Sequence, residues 1–316
     1  MKCLVTGAAG FIGSHLCERL LRDGCDVVGI DAFIPYYPRA VKEANLIGPR
    51  SHRSFQMIHA DLRDAALNEL FDGVETVFHL AAMPGLPRSW TDFTLYETCN
   101  VTATQRLITA AGHCRTLKRF IYASTSSVYG RYGSGDESLP VRPISPYGVT
   151  KFAAEQLCRA YADEFGLPLV VLRYFSVYGP RQRPDMGYHK FINALISDDS
   201  ITVFGDGQQV RGNTYIDDCI AATVAAVDAN IGEVYNVGGG ESASVWDILH
   251  KLESITNRTA RIVRAAARPG DQRHTTADTT KLSRHLGWKP KVGLDEGLTR
   301  QVNWQRSLLG GLAKAA

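Results

Sequence analysis

The first 31 residues contain the feature that most restricts the fold. A short apolar run, Lys2 to Thr6, leads directly into the turn Gly7-Ala8-Ala9-Gly10-Phe11-Ile12-Gly13. A helical pattern of apolar residues follows, and then a second apolar run from Asp26 to Ile30 that ends at Asp31. Strand, glycine turn, helix, strand and acidic residue are typical of a βαβ unit that binds a dinucleotide. The glycines let backbone N–H groups approach a pyrophosphate at the helix N-terminus, where the helix dipole favours an anion.

The acidic residue at the end of this unit predicts which dinucleotide binds. Asp31 lies 18 positions after Gly13, where a carboxylate would bond a ribose hydroxyl and repel a 2′-phosphate. NAD is therefore predicted as the cofactor in preference to NADP. The glycines are spaced three apart, which departs from the G-x-G-x-x-G pattern. The predicted cofactor contacts in this unit are Gly7, Gly10, Phe11, Ile12, Gly13 and Asp31.

Strands and helices continue to alternate after the first unit. Strands are predicted at 55–59, 75–80, 119–123 and 167–172, and helical segments at 65–71, 91–112 and 145–165. This alternation predicts an α/β fold with a Rossmann-type, doubly wound parallel sheet, whose ligands bind beyond the carboxyl ends of the strands. Further cofactor contacts are predicted at the strand ends and in the helix 91–112: Asp61, Leu62, Leu80, Ala81, Ala82, Asn100 and Tyr174.

Tyr147 and Lys151 are four residues apart in a segment that begins with Ser145-Pro146, so a helix would place both side chains on one face. Lowering the pKa of a phenol from about 10 to about 7 requires roughly 4 kcal/mol. A cation about 4 Å away, at an effective dielectric constant of about 20, supplies that amount. The spacing therefore predicts Tyr147 as a general base activated by Lys151. Since amphipathic helices also contain Tyr and Lys at this spacing by chance, the other motifs must decide.

Composition excludes several classes of protein. Apolar residues make up 45% of the 316 and charged residues 21%, as in an ordinary globular protein, and the net charge of +3 favours neither a nucleic-acid nor a membrane partner. No apolar run is long enough to span a bilayer, and the N-terminus lacks a signal peptide. Seven scattered cysteines without a Cys-x-x-Cys pair predict no metal site and a reducing, cytoplasmic location.

A third motif, Ser124-Thr125-Ser126-Ser127-Val128-Tyr129-Gly130, stands at the end of the predicted strand 119–123. The glycine turn, this motif and Tyr147-x-x-x-Lys151 occur in the order and separation found in extended short-chain dehydrogenases/reductases. From Met1 to about Trp304 the chain resembles the nucleotide-sugar epimerase and dehydratase branch of that family. The resemblance implies tightly held NAD, a transient hydride transfer, and Thr125, Tyr147 and Lys151 as catalytic residues. Tyr147 and Lys151 are also predicted to contact the NAD.

The residues after Thr125 distinguish reactions within this family. Dehydrating members usually have Asp-Glu there, and members that decarboxylate a glucuronate usually have Glu at the second position. Here the two residues are Ser126 and Ser127, so the additional acid or base that elimination or carbanion protonation would use is missing. Oxidation and re-reduction at one carbon, which is epimerisation, is therefore predicted. Both serines are predicted to contact the substrate.

The second half of the chain is predicted to bind the nucleotide sugar. In the family that the chain resembles, the turn 204–207 contacts the uridine, Arg211 faces the pyrophosphate, and Arg268 and Asp271 hold the nucleotide. Two guanidinium groups suit two phosphates. The predicted Rossmann domain comprises 1–173 and about 214–237. A smaller, interleaved substrate domain comprises about 174–213 and 238–316.

The run Pro180-Arg181-Gln182-Arg183-Pro184-Asp185-Met186 predicts the substrate. It resembles the arginine loop of UDP-glucuronate 4-epimerases, in which the arginine matching Arg183 binds the sugar carboxylate. Tyr36-Tyr37 with Lys42-Glu43-Ala44-Asn45-Leu46 is also similar to that subgroup. Ser176, where other epimerases have Asn or Thr, and Arg88, in the loop 83–89, depart from the usual pattern and are further candidate substrate contacts.

Two alternatives to UDP-glucuronate C4 epimerisation stay open. In the first, the chain epimerises UDP-glucose or a UDP-N-acetylhexosamine, and Arg181 and Arg183 serve phosphates or solvent. In the second, the chain is a non-catalytic NAD(H)-sensing protein, although such descendants often lose the Tyr-x-x-x-Lys pair. The family also implies a homodimer through the helices at about 91–112 and 145–165.

Overall fold

Strands and helices alternate along the chain, as the sequence predicts. The structure is a computed structural model that describes residues 1–313, with side chains described as far as Leu308. The strands are β1 (Lys2–Thr6), β2 (Asp26–Asp31), β3 (Phe55–His59), β4 (Thr76–His79), β5 (Arg119–Thr125), β6 (Tyr132–Gly135), β7 (Leu169–Tyr174), β8 (Ser176–Tyr178), β9 (Ser200–Phe204), β10 (Val210–Tyr215), β11 (Val234–Val237), β12 (Ser242–Ser244), β13 (Arg261–Ala265) and β14 (His274–Ala277). The α-helices are α1 (Phe11–Arg22), α2 (Arg39–Asn45), α3 (Ile47–Arg50), α4 (Leu86–Ser89), α5 (Phe93–Glu97), α6 (Ala103–Ala111), α7 (Pro146–Phe165), α8 (Gly187–Ser197), α9 (Ile216–Ala225), α10 (Val245–Thr256), α11 (Thr280–Leu286) and α12 (Leu294–Ala313).

Seven strands form a parallel sheet in the order β11-β7-β5-β4-β1-β2-β3. Helices cover both faces, with α1 packed against α9 on one face and α6 against α7 on the other. The predicted doubly wound α/β fold is therefore confirmed. The chain moves outward from β1 through β2 to β3 and then returns to β4 on the other side of β1. This reversal of strand order creates a crevice at the carboxyl ends of β1 and β4, where ligands bind in such sheets.

The remaining strands lie in two smaller sheets. One has the order β12-β10-β14-β6, with β8 paired to the end of β10, and the other consists of β9 and β13. Between these segments the chain returns to the large sheet, where β11 pairs with β7. The division of the chain into two interleaved domains at the boundaries given above stays a prediction.

Two predicted helical segments differ from the observed structure. The segment 65–71 forms only a 3-10 helix, Leu67–Phe71. The segment 91–112 is interrupted, because a π-helix at Thr98–Thr102 separates α5 from α6. The π-helix contains Asn100, whose side chain accepts a hydrogen bond from Met83 N at 2.7 Å and is fully buried. The wider turn of the π-helix places the Asn100 amide against the loop after β4. Hydrophobic periodicity in the sequence does not reveal such a contact between distant segments.

The helix that contains Tyr147 agrees with its prediction at both ends. α7 begins at Pro146, and the Ser145 hydroxyl accepts a hydrogen bond from Gly148 N at 3.1 Å. It ends before Gly166, whose φ of +71° is the left-handed conformation common after a helix. The first turn of α7 therefore has a fixed position beside the end of β5.

Candidate active site

The carboxyl ends of the central strands surround a cleft of about 230 Å³. Fourteen of the fifteen predicted cofactor residues line it: Gly7, Gly10, Phe11, Ile12, Gly13, Asp31, Asp61, Leu62, Leu80, Ala81, Ala82, Tyr147, Lys151 and Tyr174. The fifteenth, Asn100, is not in the lining. Its amide donates hydrogen bonds to Met83 O at 3.1 Å and Thr150 Oγ1 at 3.0 Å. Asn100 therefore ties the loop after β4 to α7 from behind the cleft.

The glycine turn after β1 leaves no space for larger side chains. A Cβ on Gly13 would lie 2.1 Å from the Gly7 carbonyl oxygen. A Cβ on Gly7, which has a φ of +72°, would lie 2.9 Å from Ala81 N. Helix α1 begins without a side-chain cap, so its first N–H groups are available to another acceptor. This arrangement fits the pyrophosphate of a dinucleotide.

We expect Gly13→Ala to weaken dinucleotide binding by about 100-fold, because the added methyl group forces the turn away from its position. Titration of the purified variant with NAD measures the effect. Gly187→Ala is the matched control, since its Cβ would meet nothing closer than Phe191 at 3.9 Å and binding should be unchanged. Wild-type affinity in Gly13→Ala would show that the turn does not hold the dinucleotide.

Asp31 ends β2 with its carboxylate held by the backbone. It accepts hydrogen bonds from Ala9 N at 3.2 Å and Phe33 N at 2.7 Å. Lys42 Nζ lies 3.6 Å from this carboxylate, and its side chain also lines the cleft. Sequence reasoning did not predict Lys42 as a site residue, although its segment, Lys42-Glu43-Ala44-Asn45-Leu46, was part of the resemblance. The carboxylate fits a ribose hydroxyl, with Lys42 partly neutralising its charge.

Asp61 reaches the cleft but is already paired. The Arg63 side chain donates to both carboxylate oxygens, with Nη2 2.7 Å from Oδ2 and Nε 3.0 Å from Oδ1. These hydrogen bonds from Arg63 lower the pKa of Asp61, so the carboxylate stays ionised. An adenine amino group at this position would have to share the carboxylate with Arg63.

The three predicted catalytic residues meet where β5 ends and α7 begins. Thr125 is the last residue of β5, and Tyr147 lies in the first turn of α7. The Thr125 hydroxyl accepts a hydrogen bond from Ser127 N at 3.2 Å and lies close enough to the Tyr147 phenol to lower its pKa. Lys151 follows one helical turn later, and its side chain is 3% exposed. Tyr147 and Lys151 line the cleft, whereas Thr125 lies beside the phenol and is not itself in the lining.

The charge environment of Tyr147 differs from the prediction. Desolvation raises the pKa of Tyr147, and the Thr125 hydrogen bond and the positive charge of Arg183 oppose this rise only in part. Burial also lowers the pKa of Lys151 to about 7, and its Nζ lies 4.3 Å from the centre of the Tyr122 ring. The net pKa of Tyr147 is thus raised and not lowered as predicted, because residue spacing does not reveal desolvation.

A buried ion pair lies behind the catalytic residues. Arg173 donates to both carboxylate oxygens of Glu155, at 2.6 and 3.2 Å, and Ser124 donates to the same carboxylate at 2.6 Å. Glu155 lies one turn after Lys151 on α7, and its charge favours protonated Lys151 against the effect of burial. Sequence reasoning missed this pair. The available signal was an arginine within the otherwise apolar strand β7.

Arg183 enters the cleft from the loop between β8 and α8, and it is the one predicted substrate residue among the cleft-lining residues. Its Nε and Nη2 each donate a hydrogen bond to Asp185 at 2.9 Å. The guanidinium carbon lies 5.7 Å from the centre of the Tyr36 ring, and the Tyr36 hydroxyl donates to Asp185 at 3.4 Å. The Arg183 side chain is 19% exposed. Sequence reasoning predicted Arg183 but not its partner.

Neighbouring residues hold this loop on two sides. The buried Gln182 side chain accepts hydrogen bonds from His189 N at 3.0 Å and from Gln301 Nε2 on α12 at 2.9 Å. Arg181 forms an ion pair with Glu18 on α1 at 2.7 Å. The loop is therefore attached both to the helix of the glycine turn and to the last helix of the chain.

Four other predicted substrate residues lie outside the cleft lining. Ser126 and Ser127 are buried in a 3-10 helix directly after Thr125, and Ser176 is the first residue of β8. Arg88 forms an ion pair with Asp92 at 2.9 Å. Their roles in substrate binding stay predictions.

The predicted nucleotide contacts of the second half form two groups. Arg211 and Asp271 come together as an ion pair at 3.7 Å. The Arg268 guanidinium lies 3.4 Å from the centre of the Phe204 ring, next to the predicted uridine turn. A phosphate that binds Arg211 would share it with Asp271. Their roles as nucleotide contacts also stay predictions.

Two further findings apply to the residues that the structure describes. No group of three or more His, Cys, Asp or Glu side chains is arranged to hold a metal ion. None of the helices within the described residues combines the length and the apolar composition that a membrane span requires.

The glycine turn, the acidic residue at the end of β2 and the Tyr147–Lys151 pair define a class of protein. The chain belongs to the NAD dependent epimerase/dehydratase family, whose model matches residues 3–238. It is an extended short-chain dehydrogenase/reductase of the nucleotide-sugar epimerase type, so the predicted resemblance is confirmed.

Several named proteins of this class are similar to the chain along nearly its whole length. A crystal structure of UDP-glucuronic acid 4-epimerase from Bacillus cereus, in complex with UDP-glucuronic acid and NAD, is 46% identical, with a TM-score of 0.95 over 98% of this chain and 100% of that one. A UDP-glucuronate 4-epimerase of Thermodesulfobacterium geofontis is 36% identical over 96% of this chain and 95% of its own. A Bacillus subtilis protein named an uncharacterized UDP-glucose epimerase is 44% identical over 98% of this chain and 100% of its own.

Proposed function

We propose that this protein is an isomerase, an NAD-dependent UDP-sugar 4-epimerase that interconverts UDP-glucuronate and UDP-galacturonate. The observation that supports this substrate is the position of Arg183, which lines the same cleft as Tyr147 and whose positive charge acts on the phenol. A sugar that presents C4 to Tyr147 would place its neighbouring C5 substituent close to this guanidinium. A buried carboxylate requires such a partner, since burying an unpaired charge is costly.

The comparisons support the same substrate. The Bacillus cereus enzyme, at 46% identity, acts on UDP-glucuronic acid and was crystallised with NAD. Ser126 and Ser127 contain no acid that would assist dehydration or decarboxylation. Epimerisation is therefore favoured among the reactions of the family.

In the proposed mechanism the chain positions the sugar and moves one proton. Tyr147 accepts the proton of the C4 hydroxyl, and Thr125, which lies next to the phenol, bonds the same hydroxyl. The glycine turn and Asp31 would hold NAD, which when bound would accept hydride from C4 and return it. When Lys151 is protonated, its positive charge stabilises the Tyr147 phenolate. The 4-keto sugar turns about the bonds to its fixed pyrophosphate and presents its other face for re-reduction, and Tyr147 returns the proton to the C4 oxygen.

The 4-keto form of glucuronate is a β-keto acid, which loses CO₂ readily. Arg183 opposes this loss by holding the carboxylate in place. The hydroxyls of Ser126 and Ser127 are poor acids, so no strong proton donor at these positions would trap a carbanion. The same residues that select the acid sugar thus protect its intermediate.

The test is to incubate the purified protein, without added NAD, with UDP-glucuronate and separately with UDP-glucose. Ion-exchange chromatography and NMR identify the products. UDP-galacturonate from the acid sugar, with little change in the neutral sugar, is the expected result. A UDP-pentose product would instead show decarboxylation and would contradict the argument from Ser127.

The second candidate is a 4-epimerase of UDP-glucose or a UDP-N-acetylhexosamine. The name of the Bacillus subtilis relative and the pairing of Arg183 with Asp185 both favour it. In the same assay, conversion of UDP-glucose alone would establish this candidate. No reaction with any of these sugars, even with added NAD, would instead favour a non-catalytic NAD(H) sensor.

We infer that the protein is a cytoplasmic homodimer. Phe93 on α5 and Val149 and Phe165 on α7 expose apolar side chains on the helices that the family uses for pairing. All seven cysteines are free thiols, which suits a reducing compartment. Light scattering should give twice the monomer mass, and Val149→Glu should shift it toward the monomer. A wild-type monomer at micromolar concentration would refute the dimer, and activity confined to a membrane fraction of source cells would refute the location.

A further inference from the structure

We propose that Asp185 is an exchangeable partner of Arg183, which holds the guanidinium while no substrate carboxylate is bound and gives it up when one binds. In this role Asp185 sets the affinity for acid sugars and allows the sugar to turn. The inference rests on the proposed function, because it assumes a substrate with a carboxylate.

The geometry of the pair is that of a bound carboxylate. Both oxygens of Asp185 accept hydrogen bonds from one edge of the Arg183 guanidinium, formed by Nε and Nη2. Among residues 1–308, none accepts a hydrogen bond from Nη1 of Arg183. Asp185 is only two residues away on the same loop, so its carboxylate can serve as an internal substitute for that of a sugar.

A substrate carboxylate would meet this aspartate. Two carboxylates that share one guanidinium repel each other, and the repulsion is strong where water is largely excluded. Burial raises the pKa of Asp185, but the charge and hydrogen bonds of Arg183 outweigh this effect, and the net pKa lies below its usual value. Asp185 is therefore ionised at neutral pH. An acid sugar therefore binds against the charge of Asp185, whereas a neutral sugar does not.

Asp185 has a second partner that can hold it after exchange. The Tyr36 hydroxyl donates to its Oδ2 at 3.4 Å, and the guanidinium stacks over the Tyr36 ring. Gly85 leaves room for this hydroxyl, since a Cβ there would lie 2.2 Å from the Tyr36 phenol oxygen. The aspartate therefore keeps a hydrogen-bond donor while Arg183 turns to the substrate.

The exchange has a consequence for turnover. When the 4-keto sugar turns, its carboxylate must leave Arg183 and return. Without Asp185 the guanidinium would lose its partner at that moment, and an unpaired charge at 19% exposure is unfavourable. Removing the aspartate charge should therefore tighten binding of the acid sugar and slow its conversion.

The test compares the NAD-loaded wild-type protein with Asp185→Asn. Calorimetry should show UDP-glucuronate binding about tenfold tighter in the variant (about 1.4 kcal/mol), with UDP-glucose changed by less than about twofold. The kcat for UDP-glucuronate should fall about tenfold together with its KM. A merely structural defect would raise KM, so the joint fall distinguishes the two explanations.

Two further variants test whether the charge of Asp185 causes the effect. Asp185→Glu restores the charge and should move affinity back toward wild type, and Glu296→Gln removes a carboxylate from a surface pair with Arg300 and should change nothing. If Asp185→Asn does not fold, Asp185→Ser provides the same comparison. Unchanged or weaker binding of UDP-glucuronate, or equal tightening of both sugars, would overturn the inference. Failure of the wild-type protein to form UDP-galacturonate would instead overturn the proposed function.

Discussion

Tyr147→Phe should lower kcat for UDP-glucuronate epimerisation by about a thousandfold, within the range of about 10² to 10⁴ expected for loss of a general base. The phenol lines the cleft next to Thr125, and phenylalanine cannot accept the proton of the C4 hydroxyl. KM and NAD content should stay near wild type, because the ring would still pack edge-on against Tyr96, with centroids 6.3 Å apart. Initial rates of UDP-galacturonate formation measure the effect.

Tyr161→Phe is the matched control for this prediction. Tyr161 lies on the same helix, α7, and its hydroxyl bonds Thr109 and Gln105 away from the cleft. This variant should keep kcat within about twofold of wild type. If Tyr147→Phe kept more than about a tenth of the activity, another group would have to move the proton.

Arg183→Ala should lower kcat/KM for UDP-glucuronate by about a thousandfold, which corresponds to roughly 4 kcal/mol. Losses of about 2–5 kcal/mol are usual when one partner of a buried charge pair is truncated. In this variant both the substrate carboxylate and Asp185 would lack the guanidinium. UDP-glucose has no carboxylate, so any activity toward it should fall by less than about tenfold. Parallel initial-rate measurements on the two sugars test this change in selectivity.

Arg183→Lys separates charge from geometry in this prediction. Lysine retains a positive charge but cannot make the two parallel hydrogen bonds of a guanidinium, so it should restore only part of the lost activity. Arg300→Ala, on an exposed surface pair with Glu296, is the control and should leave both sugars unaffected. An equal loss with UDP-glucuronate and UDP-glucose in Arg183→Ala would remove Arg183 from carboxylate recognition.

Local signals in the sequence predicted most of the strands, helices and turns that position the site residues. The glycine turn, the cap at Ser145 and the apolar runs each depend on neighbours in the chain, and the corresponding elements were correctly predicted. The position of Tyr147 one turn before Lys151 follows from helix geometry alone. The predicted cofactor residues at the strand ends line the cleft because the carboxyl ends of parallel strands all lie along the same edge of the sheet.

Tertiary pairing explains what could not be predicted. Lys42 pairs with Asp31 and Glu155 pairs with Arg173 only once the chain is folded. The pair of Asp61 with Arg63, two residues apart, is a local contact that no motif specified. The direction of the Tyr147 pKa shift depends on how much water the folded chain excludes. The interruption of the helix 91–112 depends on a contact with the loop after β4.

The position of β11 in the large sheet has a consequence for how the protein is made. This edge strand is synthesised after β8, β9 and β10, and α9, which packs on the first helix, also comes late. A ribosome must therefore release the chain past Val237 before the sheet gains its last strand. Nascent chains that stop near the end of β7 should leave that strand with an open edge, which invites aggregation. Vectorial folding of the first half alone is thus disfavoured, and chaperones would act on this protein mainly before that length is reached.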